Sequence, residues 1–218
     1  MPIFIFDAYG TLFDVNAAIA RHRAKAGPDA DRVSAMWRTK QLEYTWTLTL
    51  AGHYTEFWVL TERALDYALA LVPSVDRSLK PALLDSYFKL DAFSDARTAL
   101  RALKAKGHQT GILSNGSPAM LDSAVDAAAL GGDLDTVLSV DTVKMFKPRP
   151  EVYALVTDRF KCRPGDVTFV SSNRWDVMAG ARVGFRSVWI NRSNMPDEYQ
   201  DFPPALVLRD LTSLTQIA

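Results

Sequence analysis

Asp7 closes the apolar run IFIF of residues 3–6, Ser114 and Asn115 follow the apolar stretch 110–113, and Ser171, Ser172 and Asn173 follow 167–170. Lys147 comes a short loop after a further apolar stretch, 137–140, and just ahead of Pro148 and Pro150. A carboxylate set among hydroxyls, amides and an ammonium group is equipped for covalent catalysis, because Asp is one of the recognised nucleophiles. A nearby ammonium favours the charged form of a carboxylate, which is the nucleophilic one. Taken singly, each residue has a plain structural explanation: Asp7, Ser114 and Asn115 as turn residues, 171–173 as a helix cap, Lys147 as a surface lysine. Chemistry is suggested by where they fall together.

That placement depends on the elements that carry them. The runs 3–6, 110–113, 137–140, 167–170 and 187–190, with a weaker one at 205–208, are short, apolar and bounded by turn residues, as buried strands are. From residue 96 onward, helical stretches at 96–106, 119–129, 151–160, 175–183 and 211–217 alternate with them. Alternation of this kind predicts an α/β fold with a doubly wound parallel, Rossmann-like sheet. In such a sheet Asp7, Ser114, Asn115, Ser171 and Asn173 share one edge, where ligands bind, and Pro150 suits the first turn of the helix after Lys147. Residues 15–92 interrupt the alternation with helices expected at 15–26, 31–50, 56–71 and 79–90, punctuated by Gly27-Pro28, Gly52 and Pro73. This stretch reads as a helical cap inserted after the first strand, over a core formed by residues 1–14 and 93–218. A cap at that edge can cover a site and exclude water.

The motifs are specific beyond this. FDAYGTL at 6–12, ILSNG at 112–116, FKP at 146–148 and FVSSNRWD at 169–176 resemble the four ordered motifs of the haloacid dehalogenase superfamily, and more narrowly of the L-2-haloacid dehalogenases. WRTKQLEYTW at 37–46, in the expected cap, is similar as well. The resemblance implies that Asp7 attacks the carbon bearing the halogen in an SN2 step with inversion, and that water then hydrolyses the aspartyl ester. It implies Arg38 and Asn115 as acceptors of the halide, Ser114 with Thr11 as the carboxylate anchor, and Lys147 with Tyr153 orienting Asp7. Ser171, Asn173 and Asp176 would surround the nucleophile, Asp176 positioning or activating water, while Tyr9, Leu42, Phe57 and Trp175 line the space around the alkyl group and halogen. Arg38 and Leu42 lie one helical turn apart and can face one cleft. The expected substrate is an (S)-2-haloalkanoic acid, and the products are an (R)-2-hydroxyalkanoic acid and halide. A homodimer is implied too.

Two departures separate the chain from the superfamily's phosphatase branch. There a second Asp, two residues after the nucleophile, protonates the leaving group; here that position is Tyr9, and a halide leaves without a proton. The branch also places extra acidic residues in the fourth motif to hold Mg²⁺, which wants an octahedron of oxygen ligands, whereas SSNRWD offers Asp176 alone. No metal and no cofactor are therefore expected. A Mg-dependent phosphatase of small metabolites and a non-catalytic small-acid binding protein stand as alternatives.

Composition bounds the rest. Twenty-five Lys and Arg balance twenty-five Asp and Glu over 218 residues, so no net field draws the chain to nucleic acid or an anionic membrane. Cys162 is the single cysteine, which rules out an intramolecular disulfide and fits a reducing cytoplasm. Residues 2–6 end at Asp7 and have no basic leader, so they read as a strand and not as a signal peptide or membrane span. Histidines 22, 53 and 108 match no motif and are given no role.

Overall fold

The computed structural model describes residues 2–216. Six strands form one all-parallel sheet: β1 (Ile3–Phe6), β2 (Gln109–Ser114), β3 (Thr136–Ser139), β4 (Val167–Ser171), β5 (Arg186–Ile190) and β6 (Leu206–Leu208), in the order β3-β2-β1-β4-β5-β6. Every residue of β1 and of β4 is buried, as expected where helices cover both faces of a parallel sheet. The chain winds outward from β1 in one direction, then returns and winds outward in the other, so right-handed crossovers place helices on opposite faces. The crevice of such a sheet opens where the winding reverses, beside β1.

Between β1 and β2 the chain is helical: α1 (Ala17–Ala20), α2 (Arg23–Ala26), α3 (Ala30–Leu50), α4 (Phe57–Leu71), α5 (Lys80–Phe88) and α6 (Ala96–Ala105). Helices α7 (Pro118–Ala127), α8 (Pro150–Phe160) and α9 (Arg174–Arg182) follow β2, β3 and β4. Pro118 and Pro150 open their helices, where a missing N–H costs nothing. No helix among the described residues is long and apolar enough to cross a membrane.

Three expectations need correction. The helix expected over 15–26 is two short helices, because the chain turns at Arg21 and His22: Arg21 donates to Lys89 O at 2.9 Å and pairs with Asp91, and His22 meets Ser86 Oγ at 2.8 Å. The third strand stops at Ser139, not Val140, since the Ser139 hydroxyl accepts the Asp141 N–H and starts a 3₁₀ turn there. The helix expected over 211–217 is a 3₁₀ segment at Thr212–Gln216, with Ile217 lying outside the described residues.

Two glycines shape the loops that face the site. Gly10 has φ +92°, the left-handed region, and lets the chain curl back after Asp7 so that its N–H reaches Phe13 O at 2.8 Å. A Cβ at Gly116 would lie 2.8 Å from the Tyr9 ring, so this glycine admits that ring against the loop after β2.

Candidate functional site

Asp7 leaves the C-terminal end of β1 with a carboxylate that is almost fully buried and held unequally at its two oxygens. Oδ2 accepts from Asn173 Nδ2 at 2.7 Å, Thr11 Oγ1 at 3.1 Å and Ser171 Oγ at 3.3 Å. Thr11 Oγ1 itself accepts the Ser172 N–H at 2.8 Å, and Ser171 Oγ the Asn173 N–H at 3.1 Å. Each hydroxyl is thereby turned so that its own proton goes to Asp7. Among the described residues Oδ1 accepts only from Lys147 Nζ, at 3.1 Å, and keeps a lone pair free.

Lys147 is 1 % exposed and bridges two carboxylates, Asp7 and, at 2.8 Å, Asp176 Oδ2. Burial on its own would lower the pKa of this ammonium, but the charges of Asp176 and then Asp7 outweigh it and raise the value above that of an ordinary lysine. Asp176, wholly buried, accepts a second bond from Tyr153 OH at 2.5 Å. Burial pushes its carboxyl up to about 6 even with the lysine and the phenol holding it. Burial likewise pushes the Tyr153 phenol well above 10, so it stays a donor. The ammonium stands between Asp7 and Asp176 and pairs with both. Among the described residues no three His, Cys, Asp or Glu side chains are grouped to hold a metal ion.

In front of Asp7 lies a tight cavity of about 10 Å³, room for about one water molecule. Its wall includes Asp7, Lys147, Asn173, Ser114 and Asn115 from the sheet edge, with Arg38, Leu42 and Phe57 from α3 and α4. Tyr9 and Trp175 complete it: Tyr9 stacks on Tyr87 at 5.8 Å and tilts against Phe57, and Trp175 meets Trp46 edge-on at 5.5 Å. Ser114 Oγ accepts the Gly116 N–H at 3.0 Å, which leaves the Ser114 proton for a ligand. Asn115 Oδ1 accepts the Lys147 N–H at 3.0 Å, fixing the lysine loop and leaving the Asn115 amide NH₂ to the cavity. Arg38 reaches over from α3 and donates to Tyr9 O at 3.3 Å and to Gln41 Oε1 at 2.8 Å.

The structure thus gathers the ten cavity residues named from the motifs, and it moves three others. Thr11 does not line the cavity; its hydroxyl is spent between Asp7 and Ser172, so it holds the carboxylate of Asp7 and is not placed to anchor one from a ligand. Tyr153 contacts neither Asp7 nor the cavity, because α8 points its hydroxyl at Asp176. Asp176 itself stands behind Lys147, both oxygens engaged, away from the cavity wall. Gln41, which accepts from Arg38, and Thr61 and Tyr87, which bond to Gln41, were not singled out by sequence; polar residues on apolar helix faces are the signal that would have found Gln41 and Thr61.

Comparison with known proteins matches residues 1–184 to the family described as haloacid dehalogenase-like hydrolase. The chain is 48% identical over 214 residues to (S)-2-haloacid dehalogenase 1 of Pseudomonas sp. (strain CBS-3), covering 98% of this chain and 94% of that protein. It is 43% identical to (S)-2-haloacid dehalogenase 4A of Burkholderia cepacia, covering 96% and 91%. The L-2-haloacid dehalogenase of Xanthobacter autotrophicus, solved with chloropropionic acid covalently bound, superposes with a TM-score of 0.86 at 32% identity, over 100% of this chain and 98% of that one. Sequence and fold agree over nearly the full length, and the chain belongs to the haloacid dehalogenase-like hydrolases.

Proposed function

We propose that this chain is an (S)-2-haloacid dehalogenase, a hydrolase that converts (S)-2-haloalkanoic acids into (R)-2-hydroxyalkanoic acids and halide. The observation that carries this reading is the unequal holding of Asp7 at the wall of a small cavity. Oδ1 has the spare lone pair and is the attacking atom; it displaces the halide from C2 from the rear, inverting the centre and forming an ester. Oδ2 then becomes the ester carbonyl oxygen, and the donors from Asn173, Thr11 and Ser171 are already aimed at it. When water adds to Cγ, the negative charge builds on Oδ2, where those donors stabilise it without reorganising. Collapse of that intermediate releases the hydroxyacid with Oδ1 as its new hydroxyl oxygen and regenerates the aspartate.

The other groups divide the remaining tasks. The free Ser114 proton anchors the substrate carboxylate, and Arg38 with the Asn115 amide receives the halide. Tyr9, Leu42, Phe57 and Trp175 enclose the alkyl group and exclude water during the first step. Residues 15–92 act as the cap that closes this space. Lys147 orients Asp7, and Asp176 takes a proton from the ammonium as the ammonium takes up the one released by the attacking water.

Halide release from (S)-2-chloropropionate is expected at the same rate with and without EDTA, because the lysine already supplies the cation that Asp7 and Asp176 share. The (R) enantiomer is expected to turn over weakly or not at all, since with the carboxylate at Ser114 and the halide at Arg38 only the (S) enantiomer presents the rear of its carbon–halogen bond to Oδ1. Ion chromatography of chloride on the two enantiomers checks both; strict dependence on added Mg²⁺, or equal rates, would contradict the reading.

Asp176→Asn is expected to leave ester formation partly intact and slow ester hydrolysis, so that an adduct builds up on Asp7, seen as a mass increase in the intact protein. With its carboxyl raised to about 6, protonation of Asp176 as the pH falls past that value removes the proton acceptor. The parent kcat is therefore expected to rise through about pH 6 on an acid limb that Asp176→Asn abolishes. A limb unchanged in the variant, or no adduct, would move Asp176 out of the second step.

A further inference from the structure

The guanidinium of Arg38 sits on a long flexible stem, and it can stabilise a departing halide only if something fixes its direction. One turn further along α3, Gln41 is wholly buried, an expensive place for an amide unless all its bonds are made. Both its nitrogen and its oxygen are paired, and in one sense only. The Thr61 hydroxyl donates to Phe57 O at 2.8 Å, so towards Gln41 it accepts, taking a proton from Nε2 at 2.7 Å. That forces Oε1 to the opposite side, where it accepts from Arg38 Nη1 at 2.8 Å and from Tyr87 OH at 3.1 Å. A flipped amide would set NH₂ against both the guanidinium and the phenol and leave two donors facing each other. The chain Phe57 O, Thr61, Gln41, Arg38 is thus ordered in direction from α4 to the cavity.

Resting on the dehalogenase reading, we propose that Gln41 is a positioning residue that aims Arg38 at the leaving halide, and that it must be neutral. A carboxylate there would hold the guanidinium in the same place but neutralise part of its charge, at the expense of the halide. Neutral Gln orients the cation and leaves its field intact.

The test uses the full-length chain and two near-isosteric variants, Gln41→Met and Gln41→Glu, with chloro- and bromo-propionate as substrates and bromide and propionate as inhibitors. In Gln41→Met we expect kcat for (S)-2-chloropropionate to fall about tenfold or more with KM within about threefold, as for a group acting mainly in the transition state. The loss is expected to be smaller with the bromo substrate, and inhibition by bromide to weaken while inhibition by propionate is unchanged. In Gln41→Glu the loss is expected to deepen as pH rises and the new carboxyl ionises. Gln41→Glu keeps a hydrogen-bonding group at the site, so it gives a folded variant should Gln41→Met not fold. Chloro-to-bromo ratios and bromide inhibition like those of the parent, in a folded variant, would reduce Gln41 to packing and overturn the proposal. If the parent releases no halide, the dehalogenase reading fails instead.

Discussion

Asp7→Asn abolishes turnover, with no more than about a hundredth of the parental kcat remaining, a loss of at least about 2.7 kcal/mol in the barrier. An amide oxygen is a poor nucleophile and the variant forms no aspartyl ester. Most of the pairing survives: Lys147 keeps Asp176, and Thr11, Ser171 and Asn173 keep an oxygen to donate to when the amide presents Oδ1 to them, although its NH₂ then faces the Lys147 ammonium. The loss therefore falls on kcat, and circular dichroism shows a native spectrum. Residual activity above that level would mean that water attacks C2 directly, without the Asp7 carboxylate.

Arg38→Ala is the second large effect. Charge builds on the halogen as the carbon–halogen bond breaks, so a fixed guanidinium stabilises the transition state more than the neutral ground state, and its removal lowers kcat. Arg38→Lys keeps the charge but cannot donate to Gln41 Oε1 and Tyr9 O in a planar fork; it is expected to be impaired less than Arg38→Ala. Fluoride, with the strongest bond and most concentrated charge, suffers most. If Arg38→Ala keeps kcat for (S)-2-chloropropionate within about threefold of the parent, about 0.65 kcal/mol, the cap does not bring its arginine into the reaction.

Much of this site is legible in the sequence, for a definite reason. In a parallel sheet the buried strand reads as an apolar run, and the polar residue that ends the run marks the edge where ligands sit. Asp7, Ser114 and Ser171 are found in this way before any fold is known. What the sequence hides is which oxygen each donor faces. Thr11 lies four residues after Asp7 and Tyr153 on a helix nearby, but only the curl at Gly10 turns one hydroxyl to Asp7, and only the seating of α8 turns the other to Asp176. The ordered chain through Gln41 joins residues 20 and 46 positions apart on three helices, which no local spacing reports. Likewise the break at Arg21 and His22 comes from partners near the end of α5, not from any breaker between residues 15 and 26.

The central claim is that Asp7 Oδ1 ends up in the product. A single turnover, with enzyme in excess over (S)-2-chloropropionate in H₂¹⁸O, separates the two possible origins of the new hydroxyl. The account predicts that the first lactate formed is unlabelled at that hydroxyl and that the peptide containing Asp7 gains one ¹⁸O, by mass spectrometry. Lactate labelled in the first turnover, with Asp7 left unlabelled, would contradict it.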